Sequence, residues 1–190
     1  MSNLLRLCII SSLFTASATT WAATPSNVIG LNLGYGGLNA STKLKDFDSS
    51  DLFDGDLYYR RMFNENFGLE VGYRSSTGGL GSMLISPLTK ITDISYYGPH
   101  TDLYANYPLT GGFSLYGKVG INYYKLDYTY QTNIEGKKQQ HRITDSELGG
   151  EIAAGVEWRY EWLGFNLGYM YSKSDLIETS GVQFGTSIHI

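Results

Sequence analysis

Alternation with a period of two residues is the feature that most restricts the fold of this chain. Residues 182–190 read VQFGTSIHI, so Val182, Phe184 and Ile188 alternate with polar or very small residues. Successive side chains of a strand face opposite sides, so this segment predicts a strand with one apolar face. The same pattern recurs in segments 29–36, 67–74, 113–123, 147–160 and 163–172, and less regularly in 56–63 and 95–107. The sequence therefore predicts eight strands.

The first residues predict an export signal. Arg6 is the only charged residue before an apolar run at residues 7–16, and small residues follow up to Ala22. This order predicts a signal peptide over residues 1–22 and a barrel domain over residues 23–190. The apolar run is too short for a membrane helix, which needs roughly 20 residues. Cys8 is the only cysteine, so no disulfide or thiolate zinc site is expected after the signal.

The connections between the predicted strands alternate in length. Short ones are predicted at residues 64–66, 109–112 and 161–162, and long ones at 39–55, 75–94, 125–146 and 173–180. Short periplasmic turns and long external loops are typical of outer-membrane barrels. Extra β structure in residues 80–88 and 125–142 would make ten strands, which is the alternative count.

The second face of the strands favours a barrel in lipid over a soluble sandwich. It is rich in Gly, Ser and Asn, which suits the narrow interior of eight strands. Trp158, Trp162, Tyr169 and Tyr171 are predicted to lie at the membrane–water boundary. We therefore predict an all-β protein, an eight-stranded antiparallel up-and-down transmembrane β-barrel in the outer membrane of a Gram-negative bacterium.

Charged residues on the inward phase of the strands are the most informative candidates for a site. Because an unpaired charge in a dry interior is costly, residues of opposite sign should pair. We expect an ionic plug in which Lys118 or Arg74 bridges to Glu70 or Glu151, with a gate or selectivity ring as the alternative. The predicted network comprises Glu70, Arg74, Lys118, Glu147, Glu151, Glu157 and Arg159.

Several segments resemble the small OmpA/OmpX-type outer-membrane barrels, without a peptidoglycan-binding domain. They are RMFNENFGLEVGY at 61–73, GKVGINY at 117–123, GVEWRY at 155–160 and FNLGYMY at 165–171. The last strand resembles the C-terminal signal that the outer-membrane assembly machinery reads, although it ends in Ile190 where that group usually has Phe or Trp. The resemblance implies a structural protein, an adhesin, a serum-resistance factor or a narrow pore.

Catalytic and metal chemistry find little support in the sequence. His100 and Asp102 share the lumen face, His189 is expected near the periplasmic mouth, and no nucleophile accompanies them in a recognisable motif. Four aspartates lie in the predicted loop 39–55, without the Gly and Glu of a calcium-binding loop. We therefore expect no catalytic residue, no cofactor and no metal, and a narrow channel or a lipid-modifying enzyme remain the alternatives.

The expected partners follow from location and loops. The net charge of −4 and the lack of a basic block exclude nucleic acid. We expect a monomer that contacts outer-membrane lipid and lipopolysaccharide and is inserted by the assembly machinery through its last strand. A mixture of aromatic and basic residues in segment 125–146 predicts either contact with an extracellular ligand or host surface, or strands that continue beyond the membrane.

Overall fold

The computed structural model describes residues 26–41, 46–78, 94–134 and 137–190, so the predicted signal peptide and segment 80–88 lie outside the described residues. The described chain forms eight strands. They are β1 (Asn27–Ser41), β2 (Asp46–Met62), β3 (Phe67–Gly78), β4 (Ile94–Pro108), β5 (Phe113–Ile134), β6 (Lys137–Tyr160), β7 (Leu163–Lys173) and β8 (Ile177–His189). Among these residues, no helix is long and apolar enough to cross a membrane.

The strands form one closed antiparallel barrel in sequence order, which confirms the predicted fold. β1 closes the barrel by pairing with β8 from Val28↔His189 to Ala40↔Ile177. Closure leaves no free sheet edge within the membrane, where an unpaired backbone would be costly. The eight described strands are those predicted.

Three tight turns lie at one end of the barrel, as predicted: residues 63–66, 109–112 and 161–162. Gly111 and Gly112 have φ values of 73° and 83°, a region that glycine adopts without steric cost. At the opposite end β5 and β6 continue to 22 and 24 residues, far more than the roughly 9–11 that span a membrane. Because outer-membrane barrels have short turns on the periplasmic side and longer segments outside, we assign the end with the three tight turns to the periplasm and the opposite end to the exterior.

The predicted alternation places apolar side chains on the outer wall and polar ones inside. Leu33, Leu57, Val119 and Ile152 are exposed on the outside, where the membrane would cover them. The sequence has adjacent tyrosines at 58–59, 96–97 and 123–124, and the two members of each pair face opposite sides of the wall. Tyr58, Tyr96 and Tyr124 are buried inside the barrel.

Three of the predicted long loops are largely strand. β1 continues to Ser41 and β2 begins at Asp46, so the predicted loop 39–55 was wrong over most of its length. β5 continues to Ile134 and β6 begins at Lys137, which is the strand extension considered for 125–146. The prediction for 173–180 was also wrong, because only residues 174–176 separate β7 from β8. Strands that leave the membrane tolerate charged residues because water surrounds them.

Candidate functional site

The middle of the lumen contains two buried ion-pair clusters. In the first, the fully buried Glu70 carboxylate accepts from Arg60 Nε at 2.8 Å and from Lys118 Nζ at 2.7 Å. Glu70 lies on β3, Arg60 on the neighbouring β2, and Lys118 on β5, one strand beyond β4. The Arg60 guanidinium also lies over the Tyr104 ring, 3.5 Å from its centroid. One carboxylate therefore joins two cations and three strands.

The second cluster surrounds Arg74. Its Nη1 lies 3.1 Å from Glu151 Oε2, and its Nη2 lies 3.4 Å from Asp56 Oδ2. The same Glu151 oxygen accepts from Tyr124 Oη at 2.7 Å and Asn122 Nδ2 at 2.9 Å. These contacts tie β2, β3, β5 and β6 together across the interior.

His100 joins the second cluster and contacts two carboxylates. Its Nδ1 lies 2.7 Å from Asp102 Oδ2 and its Nε2 lies 2.8 Å from Asp56 Oδ1. Because both ring nitrogens already contact carboxylates, His100 has no free nitrogen to act as a general base.

A group with metal-ligand composition lies within the same clusters. Glu70, His100 and Asp102 each offer a ligand atom, and these atoms lie within 4.8 Å of one another. Both Glu70 oxygens already accept from cations, and His100 is held between two carboxylates. These contacts occupy both Glu70 oxygens and both His100 nitrogens, so we assign the group no metal; Asp102 Oδ1 is buried without a hydrogen-bond partner in the described chain.

The periplasmic mouth contains a third group of charges. Glu157 Oε2 lies 3.4 Å from Arg60 Nη1 and accepts from Tyr104 Oη at 3.2 Å, and Glu157 Oε1 lies 3.3 Å from His189 Nε2. Ser187 Oγ also lies 3.3 Å from His189 Nε2. Serine and carboxylate meet the same ring nitrogen, whereas a catalytic triad needs them on opposite nitrogens.

Below this group a cavity of about 570 Å³ opens to the periplasmic end. Arg60, Tyr104 and Glu157 line its inner part, and Arg159 and His189 line its wall. We call this cavity the vestibule. Arg159, predicted as a member of the lumen network, is exposed here and makes no ion pair with any described residue.

An apolar layer closes the lumen at the external end. We call it the external apolar cluster, and its members are Leu38, Leu52, Tyr96, Tyr124, Leu126 and Ile177. Each is at most 5% exposed, and the Tyr96 and Tyr124 rings lie 5.1 Å apart. The lumen is thus apolar outside, ionic in the middle and open at the periplasmic mouth.

The remaining predicted residues lie away from the buried clusters. Glu147 is half-buried near the external end, where its Oε2 accepts from the backbone N–H of Leu176 at 2.7 Å and holds the β7–β8 turn. Trp158 stacks on Phe165, with ring centroids 5.9 Å apart beside a periplasmic turn. Trp162 and Tyr169 are exposed on the outer wall, and Tyr171 is half-exposed.

The sequence reasoning missed Arg60 and Asp56 because β2 was read as irregular around Arg61. Arg61 faces outward at the barrel end and donates to Asn27 Oδ1 at 2.5 Å. The alternation Asp56, Tyr58, Arg60, Met62 was the available signal, since all four are buried.

Outside the membrane, Lys173 and Glu178 form an exposed ion pair at 2.8 Å at the external end of β7 and β8. The hydrogen bond from Lys173 lowers the pKa of Glu178 below its ordinary value. This pair provides an exposed counterpart to the buried pairs of the lumen.

Comparison with known proteins places the chain among outer-membrane barrels. The family model of the outer membrane protein beta-barrel domain matches residues 7–189. The fold is similar to the attachment invasion locus protein Ail of Yersinia pestis, with a TM-score of 0.57 and 17% identity over 87% of this chain and 99% of Ail. It is also similar to Neisserial surface protein A, with a TM-score of 0.60 and 11% identity over 87% of this chain and 99% of that one.

A third similar structure is OprG of Pseudomonas aeruginosa, with a TM-score of 0.54 and 14% identity over 88% of this chain and 96% of that one. Ail has also been crystallised with the heparin analogue sucrose octasulfate. At these identities the similarity establishes the fold. No curated protein matches the chain by sequence.

Proposed function

Because the chain belongs to the family of outer membrane protein β-barrel domains, we propose that it is a surface-interaction protein whose contact element is the β5–β6 hairpin. The observation that carries this proposal is the length of the hairpin. β5 has 22 residues and β6 has 24, whereas β7 has 11 and β8 has 13. A transmembrane strand needs only about 9–11 residues.

The extra residues of β5 and β6 extend the hairpin beyond the membrane. With a rise of about 3.4 Å per residue and a tilt of about 40°, each strand residue advances roughly 2.6 Å along the barrel axis. β5 has 11 residues more than β7, so its tip extends roughly 25–30 Å farther, which matches the height of the whole apolar band. The hairpin is therefore the first part of the described chain that another surface would meet.

The hairpin also carries an open backbone edge on the β6 side. β6 begins at Lys137 but pairs with β7 only from Gly150 onward, so its first part has no strand partner on that side among the described residues. An unpaired strand edge and basic positions such as Lys137, Lys138 and Arg142 suit an extended or anionic partner. The partner that we propose is an anionic surface, either lipopolysaccharide phosphates or a host-cell polysaccharide.

The packed lumen supports a binding role over the alternatives. The two buried ion-pair clusters and the external apolar cluster fill the lumen, which argues against a narrow channel. The contacts of His100 and His189 argue against a lipid-modifying enzyme. We further propose a monomer whose outer wall contacts lipid and whose β8 is recognised by the assembly machinery. Refolded protein in planar bilayers should show no steady single-channel conductance, and a steady current would favour the pore.

The test shortens the hairpin without disturbing the barrel. Tyr128 pairs with Ile143, so replacing residues 129–142 by an Asn-Gly turn keeps the register of the remaining strands. Cells that display the shortened protein should lose binding to heparin-coated surfaces and to epithelial monolayers. Equal binding by the two proteins would refute the hairpin as contact element.

A second variant distinguishes the effect of the hairpin's positive charge from the effect of its length. Replacing Lys137, Lys138 and Arg142 by Gln keeps the full hairpin and removes three cations. Binding to the polyanion should weaken and lose most of its salt dependence. A matched Arg61→Gln variant, altered at the periplasmic end, should bind as the parent does.

A further inference from the structure

The vestibule has the form of a binding cavity with one entrance. Its volume of about 570 Å³ falls in the range of roughly 300–1,000 Å³ that small-molecule sites occupy. Above it lie the ion-pair clusters and then the external apolar cluster. Eight-stranded barrels with space inside can hold one small ligand. A solute can therefore enter from the periplasm and has no exit through the described lumen.

Two rim charges lack ionic partners and lie across the mouth from each other. Glu65 lies in the turn between β2 and β3, and Arg159 lies near the end of β6. Around the closed barrel, three strands separate them in one direction and four in the other. Neither forms a salt bridge with a described residue, although both line the vestibule.

We propose that the vestibule binds a short zwitterionic peptide from the periplasm, with its carboxylate at Arg159 and its ammonium group at Glu65. A ligand with a single charge would leave one rim residue unpaired, whereas a peptide places opposite charges at its two ends. An extended tripeptide spans about 10 Å, at roughly 3.3–3.6 Å per residue, which suits groups on opposite sides of a narrow mouth.

The inner surface of the vestibule supplies groups for the peptide backbone. Arg60 is 3% exposed and Glu157 is 4% exposed, and both line the cavity beside Tyr104. Arg60 has five N–H donors, and its contacts with Glu70 and Glu157 use its Nε and Nη1. Asn106 adds an amide on the wall. A few convergent polar groups of this kind fix the orientation of a small ligand.

The experiment is calorimetric titration of the refolded full barrel in lipid nanodiscs with tri-alanine, N-acetyl-tri-alanine and tri-alanine amide. The two capped peptides lack the ammonium group and the carboxylate, respectively. We expect saturable binding of tri-alanine at low salt, and capping either end should weaken it roughly three- to fivefold, as for exposed ion pairs.

Variants assign each end to its residue. Arg159→Gln should weaken the binding of tri-alanine roughly three- to fivefold and leave the affinity for the amide unchanged. Glu65→Gln should weaken the binding of tri-alanine by a similar factor and leave the affinity for the N-acetyl peptide unchanged. Arg61→Gln removes a nearby outward cation and should change nothing. Heat-modifiable gel mobility checks that each variant is folded.

Two results would overturn the proposal. One is a titration with tri-alanine that shows no saturable binding heat up to a peptide concentration on the order of 10 mM. The other is an affinity that capping does not change, or an Arg159 variant that responds to the ammonium end and a Glu65 variant that responds to the carboxylate end. Because the hairpin is intact in every variant, either result leaves the proposed surface interaction untouched.

Discussion

Glu70→Gln tests whether the lumen charges stabilise the barrel. The substitution keeps the side-chain volume and removes the negative charge that Arg60 and Lys118 share at 2.8 and 2.7 Å. Removing one partner of a buried ion pair costs about 3–5 kcal/mol, because the other charge stays buried. The Gln carbonyl retains one hydrogen bond worth about 1 kcal/mol. We therefore expect the free energy of unfolding to fall by about 2–4 kcal/mol.

The assay is reversible urea unfolding of the refolded barrel in lipid vesicles, followed by tryptophan fluorescence and gel mobility. The matched control is Lys173→Gln, which breaks the Lys173–Glu178 pair at 2.8 Å, nearly the same distance as in the buried pair. Its side chains are 60% and 37% exposed, so water replaces the lost partner and no measurable change is expected.

A double variant separates charge pairing from packing. Lys118→Met removes the cation that depends on Glu70, so Glu70→Gln combined with Lys118→Met should cost roughly 1–3 kcal/mol less than the sum of the single variants. Glu157 remains beside Arg60 in that background. Equal stability losses for Glu70→Gln and the Lys173→Gln control would refute the reasoning, since the lumen would then behave as open water.

Two further predictions concern glycine packing and the external apolar cluster. A Cβ at Gly72 would overlap the His100 imidazole, whereas one at Gly55 would meet no atom within 4 Å. Gly72→Ala should therefore lower the free energy of unfolding by about 1–3 kcal/mol and Gly55→Ala should not, which urea unfolding checks and a similar loss in both would contradict. Leu52→Ala and Leu126→Ala should each lower it by about 2–4 kcal/mol. Their combination should still show no steady conductance, because the ion pairs remain beneath it, and a steady current would place the whole barrier in the apolar layer.

Strand phase was predictable from the sequence, because alternation alone determines which side chains face inward. Glu70, Arg74, Lys118, Glu151 and Glu157 were assigned to the lumen on this basis, and the structure places each of them there. Phase does not specify height along the barrel axis. Arg159 has the same inward phase, and yet it lies at the open mouth because it is two residues closer to the turn than Glu157.

The pairing of charges across the lumen could not be read from the sequence. Lys118 forms an ion pair with Glu70, two strands away. Glu70 pairs with Asp102 on β4, and Asp102 pairs with Gly120 on β5, two residues from Lys118. Such contacts depend on the stagger of the closed sheet, which local patterns do not encode. The predicted pairing therefore left open which cation meets which carboxylate.

The extramembrane strands were missed for a different reason. The four aspartates and one glycine of residues 46–55 have low strand propensity, and the segment was predicted to be a loop. The pairing with β1 continues through Ala40↔Phe47, with a register shift between Gly36 and Leu38. Cross-strand hydrogen bonding in a barrel propagates from the membrane-spanning part, so a weak local preference is overridden once the neighbouring strand continues.

The buried ion-pair clusters also favour one register of the strands over others. A slip of one residue would move the lumen charges to the lipid face and the apolar band into the interior. For Arg60, Arg74 and Lys118, that exposure would cost about 2–4 kcal/mol each at mid-membrane depth. An apolar lumen would lack this penalty, since both faces would then tolerate lipid. The buried pairs therefore favour one register by several kcal/mol, even where an apolar core of equal volume would be as stable.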